Sequence, residues 1–286
     1  MRNAFIHLRI PFSLLLLPSF LLACLETHAT LWDINTLHAA FVWHFWIYPA
    51  SQAFNTSFDQ DEGSIGGLET PPPIPKYLTH FSLLWEALGL IYTGIFIPKL
   101  FWSAVLYGVV SKAYSHPSTR LKSYAFLSTF IVVFFQGAFV TASTSYALDS
   151  NTNFSFSIEP LLASLIVLTG YPMTQIFQHQ EDQERGDQTL SLWLGTKGTL
   201  IFTAIAALFT NFLIGFVILK HTNLIFAFVS LFLMSITGIW SGMNLFKKLS
   251  KLSTIEYKDS HKSTFYSALV LNGILISASI WTYYHQ

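Results

Sequence analysis

The sequence predicts an all-α, polytopic membrane protein built as a single bundle of about nine transmembrane helices. Only 10% of the 286 residues are charged, whereas 52% are hydrophobic and 16% are aromatic. A soluble domain carries about 25% charged residues, and the mean hydropathy here is +0.48. Runs of about 20 mostly apolar residues, the length that crosses a bilayer, follow one another along the chain and predict one integral membrane domain over residues 1–286.

Composition also excludes several other classes of protein. Disordered chains are polar and poor in aromatic residues, which this chain is not. Fifteen basic residues balance fifteen acidic residues, so there is no support for nucleic-acid binding, which needs a basic face. A single cysteine, Cys24, excludes a disulfide framework and a cysteine-based metal site. No obligate protein partner is evident.

The predicted spans are separated by short polar or proline-containing breaks. The segment LLAC at 21–24 resembles a lipoprotein cleavage site, but further spans follow it, so we interpret this run as the first span. In chain order the nine spans are 10–25, 34–54, 80–97, 100–114, 124–143, 158–177, 199–219, 222–246 and 265–284.

Basic residues predict the orientation of these spans. Nine spans with a cytoplasmic N-terminus put every Lys and Arg except Lys99 and Lys220 on the cytoplasmic side. Cytoplasmic loops are enriched in Lys and Arg. We therefore expect a multi-pass protein of the cell (inner) membrane whose longer polar loops, and any active site in them, face the cytoplasm.

The loop after the second span carries a cluster of oxygen ligands. Asn55 and Asp59 are four residues apart and share one face of a helix, and a spacing of 3.6 residues per turn adds Ser51 and His44 near that face. Asp61 follows two residues later. Carboxylate and amide oxygens at a helix end suit Mg²⁺. A solvated acidic loop is the alternative interpretation.

The loop after the fourth span supplies cations. It places Arg120 and Lys122 close in sequence to Tyr114. Arg and Lys side chains bind phosphate oxygens, although a basic loop also serves as an ordinary cytoplasmic anchor.

The loop after the sixth span carries a second group of acids. If the helix continues past Pro172, residues at i, i+3, i+4 and i+7 share one face, with Glu181 beside them. The three loops together predict a site for a diphosphate bridged by a divalent metal, open to a lipid-filled cavity. The residues predicted to share this third face are Gln175, Gln178, His179 and Asp182.

Three segments resemble the UbiA-type intramembrane prenyltransferases. They read NTSFDQDE (55–62), YSHPSTRLK (114–122) and EDQERGDQTLSLWLG (181–195), in the order and spacing of that family. The resemblance covers essentially the whole chain, including the nine-helix count. Thr56, Gly63 and Gln178 depart from it, because acids are expected there.

The resemblance implies transfer of a prenyl chain from a polyprenyl diphosphate to a lipophilic or aromatic acceptor, a quinone precursor, with Mg²⁺ as cofactor. The missing acids motivate an alternative, a non-catalytic lipid-binding, isoprenoid-binding or transport protein. The implied roles are a metal site at Asn55, Asp59, Asp61, Glu181 and Asp182, diphosphate binding by Lys76, Tyr114, Arg120 and Lys122, and catalysis by Asn55, Asp59, Asp182, Arg120 and Lys122.

Ionisable residues in or near the spans are further candidates, because charge is costly in a bilayer. His44 or His179 would deprotonate or orient an acceptor, or else make a helix-packing hydrogen bond. For Glu86 we expect a helix-packing role.

Overall fold

The computed structural model describes residues 1–60, 63–149, 154–252 and 255–285. Within these ranges the regular structure is helical, apart from an isolated bridge between Ile65 and Leu68. The α-helices in chain order are α1 (Arg2–His7), α2 (Leu17–Thr27), α3 (Ile34–Phe41), α4 (Tyr48–Asp59), α5 (Leu78–Phe96), α6 (Phe101–Ser115), α7 (Ala125–Val133), α8 (Val140–Leu148), α9 (Ile158–Gln175), α10 (His179–Arg185), α11 (Leu190–His221), α12 (Leu224–Leu252) and α13 (Tyr257–Tyr284).

Two π-helical turns join pairs of these helices into longer rods. The first turn, Val42–Ile47, connects α3 to α4, and the second, Phe134–Phe139, connects α7 to α8. The Trp43 indole in the first turn donates to the Thr144 hydroxyl in α8 at 2.9 Å, so the two rods are tied together inside the bundle.

Ser164 of α9 holds the second π-turn open. Its hydroxyl donates to the Val133 carbonyl and accepts from the Ala138 amide, both at 3.0 Å. Gly137 permits this close approach, because a Cβ there would lie 2.5 Å from the Ser164 backbone. A side chain from the neighbouring helix thus bonds backbone groups in the wide turn.

Within the described residues, five helical segments are long and apolar enough to cross a membrane, and a sixth qualifies if the bent pair α9–α10 is one span. The all-helical membrane character predicted from the sequence is therefore confirmed, whereas the nine-span count and the orientation stay predictions. The five are Arg2–Thr27, Ala125–Leu148, Leu190–His221, Leu224–Ser250 and Tyr257–Tyr284.

The predicted straight continuation of the sixth span is wrong. Pro172 lies inside α9 without ending it, but the chain bends by 81° between α9 and α10. The side chains at the bend explain the turn: Ile176 packs with Met173 and Leu200 in an apolar cluster that Phe177 also contacts. Burying these residues turns the polar segment after them away from the axis of α9.

A buried ion cluster closes the opposite end of the bundle. Glu159, in the first turn of α9, has a fully buried side chain and accepts hydrogen bonds from Lys220 at 2.7 Å and His221 at 2.8 Å, both in the last turn of α11. Because α9 and α11 are antiparallel neighbours, this contact lies a full helix length from the end of α9 that carries the candidate site.

Candidate functional site

A cavity of about 840 Å³ lies inside the bundle, between α4, α6, α9, α11, α12 and α13. This volume is in the range of sites that bind small molecules. Apolar side chains such as Ile214 and Leu271 line most of its wall. The polar end, where the three predicted loops meet, is formed chiefly by Asn55, Asp59, Lys122, Asp182 and Asp187.

Asn55 and Asp59 lie side by side on the last turns of α4. The Asn55 amide donates to Asp59 Oδ2 at 2.7 Å, and the Ser115 hydroxyl donates to Asn55 Oδ1 at 2.6 Å. Lys122 Nζ forms a buried ion pair with Asp59 Oδ1. The first and second predicted loops are therefore joined at one point, with oxygen ligands next to a cation.

Asp182 lies in α10 and also lines the cavity. Its carboxylate accepts from Arg185 Nη2 at 2.8 Å and from the Thr189 hydroxyl at 3.3 Å. Gly186 ends α10 with φ of +73°, a left-handed conformation that favours glycine. The bend before α10 therefore lays this acid across the polar end of the cavity.

Asp187 connects the basic loop to the third loop. Arg120 donates to it through two nitrogens, Nε at 2.9 Å and Nη2 at 3.0 Å, and Lys122 Nζ lies 3.8 Å away. Arg120 does not itself line the cavity; it acts through Asp187, which does. The two predicted cations thus differ in position, with Lys122 on the cavity and Arg120 behind it.

Tyr114 lines the cavity on α6. Its hydroxyl is hydrogen-bonded to the hydroxyl of Tyr171 on α9 at 2.7 Å. Both rings face the same space as Asp59 and Asp182. The structure therefore places Tyr114 where the sequence predicted it, beside the polar end.

Two residues implied by the resemblance lie elsewhere. Lys76 is exposed and does not line the cavity. Glu181 does not line it either; its Oε1 accepts from the Gly63 amide at 2.8 Å, and its Oε2 is buried with no hydrogen-bond partner among the described residues. Asp61, the remaining acid of the predicted metal site, lies outside the described residues.

The two histidines and Glu86 have packing partners. His44 does not line the cavity, because the π-turn that contains it breaks the 3.6-residue spacing assumed from the sequence; its Nδ1 lies 3.1 Å from the Ser13 carbonyl. His179 bonds the Ser191 hydroxyl at 2.8 Å. Glu86 pairs with Lys112 between α5 and α6.

Sequence reasoning missed three charged residues that line the cavity. Arg185 and Asp187 stand in the third quoted segment, where their alternation with Gly186 was a usable signal. Arg9 carried none: it adopts a left-handed conformation before the first span, and its terminal nitrogens donate to the carbonyls of Gly66 at 2.9 Å and Gln52 at 3.1 Å. All three line the cavity.

The donor atoms at the polar end fit Mg²⁺. No group of three His, Cys, Asp or Glu side chains able to hold a metal ion occurs within the described ranges. However, Mg²⁺ is commonly held by one or two carboxylates and completes its shell with substrate phosphate and water. Asp59 and Asp182, with the Asn55 amide oxygen, are such a set on one cavity.

Comparisons with known proteins give a consistent result for the fold. The sequence matches no protein-family model and no curated protein. A UbiA homologue from Archaeoglobus fulgidus bound to GPP and Mg²⁺ has 15% identity and a TM-score of 0.64, with 98% of this chain and 99% of that chain covered. The same homologue bound to DMAPP and Mg²⁺ has 14% identity and a TM-score of 0.64, with 99% of this chain and 99% of that chain covered. A digeranylgeranylglyceryl phosphate synthase has 17% identity and a TM-score of 0.62, with 99% of this chain and 98% of that chain covered.

The helical bundle and its cavity, which is charged at one end and mostly apolar elsewhere, define an integral membrane protein with an amphipathic internal cavity. The fold is that of the UbiA-type intramembrane prenyltransferases, over essentially the full length of the chain. The resemblance seen in the sequence is thereby confirmed at the level of fold.

Proposed function

We propose that the protein transfers a prenyl chain from a polyprenyl diphosphate to a membrane-associated acceptor, an aromatic quinone precursor, and releases diphosphate with the help of Mg²⁺. One observation carries this proposal: a cluster of acids and bases occupies one end of a cavity whose wall is mostly apolar. An amphipathic molecule with an anionic head and a hydrocarbon tail matches that division. Solved structures of the same fold bind GPP or DMAPP with Mg²⁺.

The charges of the site support the need for a divalent metal. Three carboxylates (Asp59, Asp182 and Asp187) pair with three cations (Lys122, Arg185 and Arg120). Arg9 also lines the cavity, so the cluster has one more cation than acids; a diphosphate adds more negative charge than this excess offsets, and a divalent cation held by Asn55, Asp59 and Asp182 compensates the remainder. When bound, Mg²⁺ neutralises the charge that develops on the leaving group.

The protein's own residues do the remaining work. Lys122 lines the cavity and offers a preorganised positive charge to the leaving diphosphate. Arg120 holds Asp187, and through it the third loop, in position. The apolar wall excludes water, which protects an allylic carbon that ionises as its C–O bond breaks.

The topology is part of the proposal. Nine spans with a cytoplasmic N-terminus place the site at the cytoplasmic face of the inner membrane. The basic residues support this orientation, because only Lys99 and Lys220 then lie outside. Lys220 belongs to the ion cluster around Glu159, at the end of the bundle opposite the site.

The test is pyrophosphate release by the purified full-length protein in nanodiscs. We expect release with Mg²⁺, geranyl diphosphate and an aromatic acceptor, its loss on chelation of the metal, and its loss in Asp182→Asn. Asn keeps the shape of Asp182 and removes its charge. If geranyl diphosphate binds but no pyrophosphate is released with any of a panel of aromatic acceptors, the lipid-binding alternative is favoured. If Asp182→Asn is active, Asp182 does not belong to the site.

A further inference from the structure

A band of uncharged polar side chains lines the cavity just inside its polar end. Ser51 is on α4, Tyr107 and Ser111 are on α6, and Gln136 is in the second π-turn. The Ser51 and Ser111 hydroxyls are hydrogen-bonded at 2.6 Å. Tyr107 lies close to the side chains of Gln136 and Ser51. Three different helical segments therefore supply this polar network.

The network lies one to two helical turns deeper than the acid and base cluster. Ser51 precedes Asn55 by four residues, and Tyr107 precedes Ser115 by eight. At a rise of 1.5 Å per residue these positions are about 6 and 12 Å below the Asn55–Ser115 hydrogen bond. A prenyl diphosphate with its head at the cluster has its allylic carbon directly below the diphosphate, on the side of the cavity that faces this network.

Both π-turns converge on the network. Trp43 of the first π-turn packs against Tyr107, with ring centroids 5.6 Å apart. Gln136 belongs to the second, and its carbonyl accepts from the Ser19 hydroxyl at 2.7 Å, while Ser164 holds the same turn open. Wide turns of this kind are rare and occur frequently at functional sites. In this protein the two π-turns place the Tyr107 hydroxyl and the Gln136 amide on the same cavity.

The network carries no formal charge. Within the described ranges, the charged side chains on the cavity are Arg9, Asp59, Lys122, Asp182, Arg185 and Asp187, and none of them belongs to α6 or to the second π-turn. Behind Tyr107, Glu86 contacts Gly108 and is paired with Lys112. A carboxylate placed against this network finds no cation on it, and the Lys112 ammonium behind it is already paired with Glu86.

We propose that Ser51, Tyr107, Ser111 and Gln136 form the acceptor subsite, and that it takes the hydroxyl group of an uncharged acceptor. This inference rests on the proposed prenyl transfer. The hydroxyls and the amide can donate to and accept from one acceptor hydroxyl, which orients the nucleophile toward the allylic carbon. An anionic carboxylate or phosphate head is disfavoured.

The transfer step balances without an additional reagent. The allylic C–O bond breaks and the diphosphate leaves with the bonding electron pair. A new bond forms between the allylic carbon and the acceptor, which gives up one proton to water or to the released diphosphate. No oxidant or reductant takes part. The subsite residues hold the acceptor hydroxyl during this exchange and need not themselves change protonation.

The experiment combines binding with steady-state kinetics in nanodiscs. Wild type, Tyr107→Phe, Gln136→Leu and the matched control Tyr92→Phe are titrated calorimetrically with 1-naphthol and, separately, with geranyl diphosphate and Mg²⁺. Tyr92 lies on α5, where its hydroxyl bonds His38 at 2.6 Å, and it does not line the cavity. We expect roughly 5- to 10-fold weaker naphthol binding in the two subsite variants, the effect of one lost hydrogen bond. Geranyl diphosphate binding stays unchanged, which also shows that they fold.

Steady-state kinetics separate acceptor binding from diphosphate binding in the same way. The KM for 1-naphthol rises in the subsite variants while the KM for geranyl diphosphate does not, and wild type prefers 1-naphthol to 1-methoxynaphthalene and 1-naphthoic acid. Unchanged naphthol binding in both subsite variants, no naphthol binding in wild type, or preference for the naphthoic acid overturns the subsite. Intact naphthol and diphosphate binding without any transfer instead overturns the proposed function and leaves a hydroxyl-binding site at these residues.

Discussion

Lys122 and Asp59 form a buried ion pair at the polar end of the cavity, with 8% and 7% of their side chains exposed. The pair joins the basic loop to the end of α4. Both side chains line the cavity, so a substrate that enters meets the cation and the acid together.

Lys122→Met is therefore expected to lower kcat/KM for prenyl diphosphate by about 100-fold or more, the usual effect of removing one preorganised charge from a leaving group. Lys76→Met is the control. Lys76 is exposed and away from the cavity, so we expect nearly wild-type rates from it. A strong loss in Lys76→Met would show that the implied role of Lys76 is right and that this loop moves to the site.

Arg120→Lys tests the indirect role of Arg120. Lysine keeps the charge but cannot reproduce the two parallel hydrogen bonds that Arg120 makes to Asp187. Because Arg120 does not line the cavity, we expect a loss of about 10-fold in kcat/KM, smaller than for Lys122→Met. Equal losses in the two variants would place Arg120 in direct contact with the substrate. Thermal melts in the same nanodiscs separate this effect from unfolding.

Gly137→Ala is expected to destabilise the protein by about 1–3 kcal/mol through overpacking, because its Cβ would lie 2.5 Å from the Ser164 backbone. Gly273→Ala, on α13, is the matched control. An added Cβ there meets nothing within 4 Å, so the higher helix propensity of alanine is expected to stabilise by up to about 1 kcal/mol. Melting temperatures that shift in the same direction in both variants would contradict the close approach at the π-turn.

Glu159→Gln tests the ion cluster at the opposite end. The carboxylate is fully buried and holds Lys220 and His221, but Lys220 is 47% exposed, so removing the charge is expected to cost about 1.5–3 kcal/mol, the value for hydrogen bonds to a charged group. Glu69→Gln is the comparison, because Glu69 pairs with Lys258 on the surface, where the side chains are 50% and 70% exposed. Such exposed pairs contribute little to stability because water and salt screen them. Similar melting temperatures for the two variants would show that the buried cluster adds no stability.

Much of this architecture follows from local sequence patterns. The shared face of Asn55 and Asp59 and the end of α10 at Gly186 each depend on spacing or glycine within a few residues. The cation Lys122 and the acid Asp182 also met on one cavity as the order of the loops suggested.

The failures come from contacts between distant segments. The bend after α9 depends on Ile176 packing with Leu200 and Leu245, which are far away in sequence. The position of His44 depends on a π-turn, and hydropathy has no signal for one extra residue in a helix. Arg9 lines the cavity because its guanidinium donates hydrogen bonds to the carbonyls of Gln52 and Gly66, and no sequence motif predicts these contacts.

The π-turn at Phe134–Phe139 makes the length of this rod as important as its composition. A π-turn closes hydrogen bonds five residues apart instead of four and so accommodates one extra residue; deleting one residue there restores an ordinary α-helix, leaves the helices on either side facing as before, and changes which side chains the turn itself presents. The side chain facing Tyr107 would then be a different one. Among relatives that share every charged motif residue, an insertion or deletion between Lys122 and Ser145 is therefore expected to mark a change of acceptor.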